Sequence, residues 1–228
     1  MLREMYVSAR NSLTIVLLHI FSFPVFYYGA TGYLDAAPVG WMAIGLFFVV
    51  KQNWIPVVLI IFLGAFIKET IFLLTGASLV YLLLRSPQRK WTTMAMLISS
   101  LIAGRLLLKY FVTSYSPTDT AFFWYPGTEF LWMNLTRPRA FISLFLAGYP
   151  VILVFFIGLQ EQYRTCDRGS ERNAIYMASI AGITATILIS LYSFIAAYTD
   201  GRYIFLAYPF SIALSGIIAT RNSTGKWG

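Results

Sequence analysis

Long apolar runs, separated by short polar or turn-forming stretches, cover most of the chain. They predict eight helices associated with a membrane, at 11–28, 38–50, 54–67, 70–84, 92–112, 140–159, 174–198 and 203–220. A helix needs roughly 20 apolar residues to cross the hydrocarbon of a bilayer. The three short runs between 38 and 84 are therefore interrupted, partly re-entrant or extended by their polar linkers. We predict an all-α, polytopic bundle that forms one integral membrane domain over residues 1–228.

One polar interruption stands out, in the stretch LGAFIKETIFLL at 63–74. Charged groups at membrane depth are expensive and persist where they pair, reach an interface or handle a substrate. Joining 54–84 into one helix would place Lys68 and Glu69 in its middle, so we predict a helix break at this pair. Neighbouring residues on a helix do not face each other, so each charge needs a partner from elsewhere. Lys68 could instead snorkel to lipid headgroups, whereas Glu69 would need a cation such as Arg202 or a metal ion.

Composition supports a membrane protein and sets its orientation. Hydrophobic residues make up 58% of the chain and charged residues 11%, and the mean hydropathy is +0.70. The net charge of +8 does not indicate nucleic-acid binding, because the basic residues are scattered between apolar runs. Basic residues concentrate in cytoplasmic loops, which places both termini in the cytoplasm and the 27-residue loop 113–139 outside. Eleven of the seventeen basic residues then lie inside: Arg3, Arg10, Lys51, Arg85, Arg89, Lys90, Arg164, Arg168, Arg172, Arg221 and Lys226.

This orientation gathers the polar groups that are hardest to explain on the outer face of the membrane. They are Asp35, the pair Lys68-Glu69, the loop 113–139 and the turn TDGR at 199–202. Within the fifth helix, Arg105 and Lys109 are four residues apart and so share one face. They would extend a cationic wall toward the site, or else Lys109 would snorkel and Arg105 would pack against a carboxylate.

Two of these motifs resemble a known family. The stretches LGAFIKETIFLLTGASLVYLL and DGRYIFLAYPFSIALSG are similar to later membrane segments of GT-C glycosyltransferases, polytopic enzymes that use polyprenyl-phosphate-linked sugars. In many of them a short helix ends in a Lys-Glu pair, and a later outer turn supplies an Arg before a helix with a Pro. Lys68, Glu69, Arg202 and Pro209 match that pattern.

The resemblance implies roles for particular residues. Lys68 and Arg202 would bind the phosphate of the lipid-linked donor, with Glu69, Asp200 and Arg105 in supporting positions. Asp35, in the first outer loop, would be the catalytic base or a ligand of a divalent cation. The partners would be membrane lipid and the lipid-linked sugar, in the cell membrane of a bacterium or archaeon.

The residues alone also allow other interpretations. The chain has fewer crossings than is usual in that family, which would fit a truncated homologue, a fragment or a relative without catalysis. A non-catalytic membrane protein, either a structural subunit or a carrier, is the alternative. Asp35 would then cap a helix or solvate a loop. His19 has no second ligand at metal-binding spacing, so we expect it to make a polar contact inside the bundle.

Overall fold

The computed structural model describes residues 9–20, 36–85, 90–115, 127–164, 171–196 and 202–224. The predicted all-α fold is confirmed, since these residues form helices and contain no strand. The α-helices are α1 (Ala9–Ile20), α2 (Ala36–Val50), α3 (Trp54–Ile67), α4 (Phe72–Arg85), α5 (Lys90–Tyr115), α6 (Thr128–Leu135), α7 (Pro138–Arg164), α8 (Glu171–Ala196), α9 (Arg202–Phe205) and α10 (Tyr208–Thr224).

The predicted bounds agree best where polar residues punctuate the apolar runs. The run 54–67 coincides with α3, and the predicted break before α4 is confirmed. The run 203–220 is not one helix, because a turn at 206–207 separates α9 from α10. The loop 113–139 also contains helix, since α5 continues to Tyr115 and α6 lies within it.

Within the described ranges, three helices are long and apolar enough to cross a membrane, over Lys90–Phe111, Pro138–Gln160 and Glu171–Ala196. Half of the apolar stretch of α8 is buried inside the bundle, against 17% for α5 and 22% for α7. Helix α8 therefore lies near the centre, whereas α5 and α7 present most of their apolar side chains outward. Shorter apolar helices are α2, α3, α4 and the first part of α10.

The centre of the bundle is built on α8 and α10. Helix α8 packs on α4 and α10, and α10 also contacts α1, α2 and α7. Close approach depends on small residues, as is common between helices in membranes. A Cβ at Gly182 would lie 2.5 Å from the ring of Phe210, so only glycine admits this ring between α8 and α10.

The bundle has two distinguishable ends. At the first, Glu171 accepts a hydrogen bond from Gln52 and pairs with Arg85, with both distances 3.3 Å. We call this the Glu171 end. Helices α3 and α8 both start there and run to the opposite end, which we call the Lys68 end because Lys68 follows α3.

Candidate functional site

The candidate site is the break between α3 and α4. Helix α3 ends at Ile67, and Lys68 is extended, with φ −162° and ψ 145°. Its N–H still bonds to the Gly64 carbonyl at 3.0 Å, and its own carbonyl accepts from Ile71 N–H at 3.3 Å. A 3₁₀ turn over Glu69–Ile71 then leads into α4.

Side-chain packing holds this reversal tightly. The Ile71 side chain lies directly on Gly64, where a Cβ would come within 2.7 Å of it.

Helix α3 spans about 21 Å at 1.5 Å per residue, which is shorter than the roughly 30 Å of bilayer hydrocarbon. If α3 starts at one membrane surface, the break therefore lies short of the other surface.

Arg105 reaches the same break from α5. Its Nη1 donates to the Ala65 carbonyl at 3.3 Å, across 40 residues of sequence. The last carbonyls of a helix lack partners within that helix, and a cation is favoured at this negative end of the helix dipole. Arg105 therefore caps α3 one turn from Lys68. The sequence predicted its supporting position but could not show this carbonyl as its partner.

Close packing between α5 and α3 places Arg105 at the end of α3. A Cβ on Gly104 would lie 2.7 Å from the Phe62 carbonyl oxygen and 2.8 Å from the Cβ of Ala65. The two backbones approach closely here, with only the small side chain of Ala65 at the contact. The neighbouring Arg105 is thereby held at the end of α3.

A polar group without a visible partner lies in the turn itself. Thr70 is 6% exposed, and its hydroxyl makes no hydrogen bond among the described residues. An unpaired buried hydroxyl is costly. The break therefore begins at Lys68, has the Arg105 guanidinium on the last turn of α3, and contains a buried hydroxyl that can still donate or accept.

The other predicted site residues are placed less fully. Arg202 begins α9, and Glu69 begins the 3₁₀ turn, but both side chains lie outside the described part. Asp35 and Asp200 fall outside the described residues altogether. The structure places Arg105 at the helix end that Lys68 follows, while the pairing of Lys68 with Arg202 stays a prediction.

The chemistry available at the break is the binding of an anion. The guanidinium group is always charged and has five N–H donors in a planar fork. A phosphate is a suitable ligand, because the planar guanidinium fork matches its oxygens. No group of three His, Cys, Asp or Glu residues that could hold a metal occurs among the described residues.

Elsewhere, the sequence reasoning missed one polar contact and the partners of another. The first is the contact of Gln52 and Arg85 with Glu171, for which the loop charges gave only a hint. The second joins α1 to α10. His19 Nδ1 donates to the Ile15 carbonyl at 2.8 Å, and Nε2 of the neutral ring accepts from the Ser211 hydroxyl at 3.2 Å. This confirms the expected polar contact of His19.

Comparisons of the chain with protein-family models, with curated proteins and with solved structures found no match. The functional argument therefore depends on the residues and their geometry.

Proposed function

We propose that the protein is a membrane glycosyltransferase of the GT-C kind, which uses a polyprenyl-phosphate-linked sugar at the outer face of the membrane. The observation that supports this most is the helix break at Lys68, with Arg105 bonded to the end of the same helix. Lys68 follows the end of that helix, and Arg105, from a distant part of the chain, bonds to its Ala65 carbonyl. An anionic lipid head is a ligand that would use them.

The chemistry follows from charge. When the bond between sugar and phosphate breaks, negative charge grows on the phosphate oxygen that leaves. Lys68 and Arg202, supported by Arg105, would stabilise this charge, because fixed cations in a low-dielectric site act strongly on a developing anion. Asp35 would take the proton from the attacking hydroxyl of the acceptor. Glu69 and Asp200 would orient the cations.

The proposed membrane topology has eight crossings, by α1, α2, α3, α4, α5, α7, α8 and α10, with both termini in the cytoplasm. The contacts of Gln52 and Arg85 with Glu171 support it, because they gather three connections that this topology assigns to the cytoplasm. Cys166, the one cysteine of the chain, tests it. An impermeant maleimide should label Cys166 in inside-out vesicles, and labelling only in right-side-out vesicles would refute the topology.

The test of activity removes one cation at a time. Lys68→Ala and Arg202→Ala should each lower sugar transfer by roughly 10²–10³-fold, as when one stabilising donor is removed from a transition state. The assay is transfer from a panel of radiolabelled polyprenyl-phosphate hexoses in proteoliposomes. Lys51→Ala is the matched control, since Lys51 is exposed and lies over the Phe47 ring at the Glu171 end. Full activity in both site variants, with normal membrane insertion, would remove the assignment.

The second candidate is a non-catalytic membrane protein, either a structural subunit or a carrier. The bond from Arg105 to the Ala65 carbonyl favours it, since it gives this cation a purely structural task. Here Glu69 and Arg202 would pair between helices. The double variant Glu69→Arg with Arg202→Glu should then retain function, whereas a phosphate site would lose it.

A further inference from the structure

Helix α6 has an apolar face that points away from the bundle. Its Trp132 side chain is 70% exposed, Leu135 is 50% exposed and Leu131 is 36% exposed. At 100° per residue these three side chains lie on one side of the helix. Asn134 lies outside this arc, roughly 100° from Leu135, and is buried. These three large side chains favour an apolar environment, while Thr128 and Glu129 are exposed in the first turn of the same helix.

Two hydrogen bonds tie α6 to the end of α8. The Gly127 N–H donates to the Ile195 carbonyl at 2.8 Å, and Asn134 Nδ2 donates to the Phe194 carbonyl at 2.9 Å. These carbonyls belong to the last turn of α8 and have no partners within that helix. Because both ends of α6 bond to adjacent carbonyls, α6 crosses the end of α8 and does not extend it.

The exposed face continues into α7. Phe141, Ile142 and Phe145 are 43%, 58% and 68% exposed, and they belong to a stretch long enough to cross a membrane. Arg137 and Arg139 are exposed at the junction between the two helices. Basic side chains beside an aromatic anchor, at the end of an apolar stretch, are typical of the membrane interface.

We propose that α6 is an interfacial helix that lies along the membrane surface and binds the headgroup region of anionic phospholipids. Trp132 and its two leucine neighbours enter the boundary of the acyl chains. Arg137 and Arg139 contact lipid phosphates. This site is distinct from the α3–α4 break and does not depend on sugar transfer.

Spin labels can measure the depth of α6. Cys166→Ser gives a cysteine-free background, into which Trp132→Cys and Leu135→Cys are introduced separately and labelled with a nitroxide. Phe145→Cys is the lipid-facing reference, and Lys51→Cys is the aqueous reference. Each protein is reconstituted in phosphatidylcholine with and without phosphatidylglycerol, and accessibility to oxygen and to a water-soluble nickel chelate is compared.

Both α6 labels should lie about 5–10 Å below the headgroup boundary, as expected of an interfacial helix. Phosphatidylglycerol should move them deeper, and the added pair Arg137→Gln and Arg139→Gln should abolish this movement. Accessibility equal to that of the Lys51→Cys label would overturn the proposal. So would labels shielded from both reagents, which would mean that protein covers this face. No response to phosphatidylglycerol would refute the anionic-lipid site.

Discussion

Arg105 shows how a single residue solves a local problem of charge and hydrogen bonding. An arginine within an apolar helix is costly unless it finds a polar partner. Helix α3 stops at Ile67, so the Ala65 carbonyl loses the partner that a continuing helix would supply four residues later. The bond from Arg105 satisfies both groups at once.

Arg105→Leu should therefore destabilise the protein by about 1–3 kcal/mol, because it leaves a partly buried carbonyl unpaired. Arg105→Lys should recover part of the loss, since an ammonium can still donate. The measurement is unfolding of the purified protein in mixed detergent micelles. Lys109→Leu, one turn further along α5 and exposed, is the control and should change stability little. Equal losses in the two leucine variants would contradict the capping role.

The close contacts of Gly104 predict the effect of a second single substitution. Gly104→Ala should cost about 1–3 kcal/mol, because the added methyl group meets the backbone carbonyl of Phe62, which cannot rotate away. Gly76→Ala in α4 is the matched control, since a Cβ there meets nothing within 4 Å. Its unfolding free energy should stay the same or rise by up to about 1 kcal/mol from better helix propensity. A stable Gly104→Ala protein would show that α3 and α5 pack more loosely.

Among the elements, α1 and α10 share a buried polar contact in apolar surroundings. The Ser211 hydroxyl donates to His19, whose ring also meets the Tyr208 ring edge-on at 5.5 Å between centroids. Both side chains of the hydrogen bond are buried. The contact fixes how α1 sits against α10.

A double-mutant cycle with His19→Phe and Ser211→Ala should give a coupling energy of about 0.6 kcal/mol, and at most about 1.7, as for hydrogen bonds between membrane helices. The pair His19→Phe with Ser179→Ala is the control, because the Ser179 hydroxyl bonds within its own helix to Ile175. That pair should be additive. No coupling between His19 and Ser211 would show that the bond adds no stability.

The sequence predicted most elements because polar residues interrupt its apolar runs. Lys68 marks the end of α3 in this way. The break between α9 and α10 was missed, since the run 203–220 is apolar throughout and only Pro209 hints at a helix start. Helix α6 was missed because its first turn and last residues bond to the end of α8, a tertiary contact with no local signal.

For the candidate site, residue types were predictable but partners were not. Lys68 and Arg105 attract attention because charge is rare in apolar runs. That Arg105 bonds to Ala65 depends on how α3 and α5 pack, and the two residues are 40 positions apart. Every residue has a backbone carbonyl, so the residue type at position 65 gives no sign that its carbonyl is an acceptor.

For the whole molecule, the Glu171 end joins three separate connections through one carboxylate. Glu171 is the first residue of α8, where the helix dipole favours negative charge. Gln52 supports the contact from a left-handed backbone conformation, with φ 55°, which is unusual for a residue other than glycine. This end of the bundle is thereby held in one arrangement.

Glu171→Lys should destabilise the bundle, because it replaces the carboxylate that Gln52 and Arg85 contact with a third hydrogen-bond donor. Combining it with Arg85→Glu should restore most of the loss, since the pair is re-formed with its signs reversed. The pair is partly exposed, so its net contribution is small, about 0.2–1 kcal/mol. Thermal unfolding in micelles is the measurement. If the double variant is as unstable as Glu171→Lys alone, the loss comes from the charge at each position and not from the pairing of the two side chains.

The contact between the first and last described helices has a consequence for biogenesis. If the chain enters the bilayer as the ribosome makes it, the imidazole of His19 emerges long before Ser211 exists. Throughout that interval this polar ring must be sheltered by the insertion machinery, by water or by a temporary neighbour. Closure of the bundle is thus delayed until α10 arrives, and a chain stalled before that point would be a natural target for quality-control proteases.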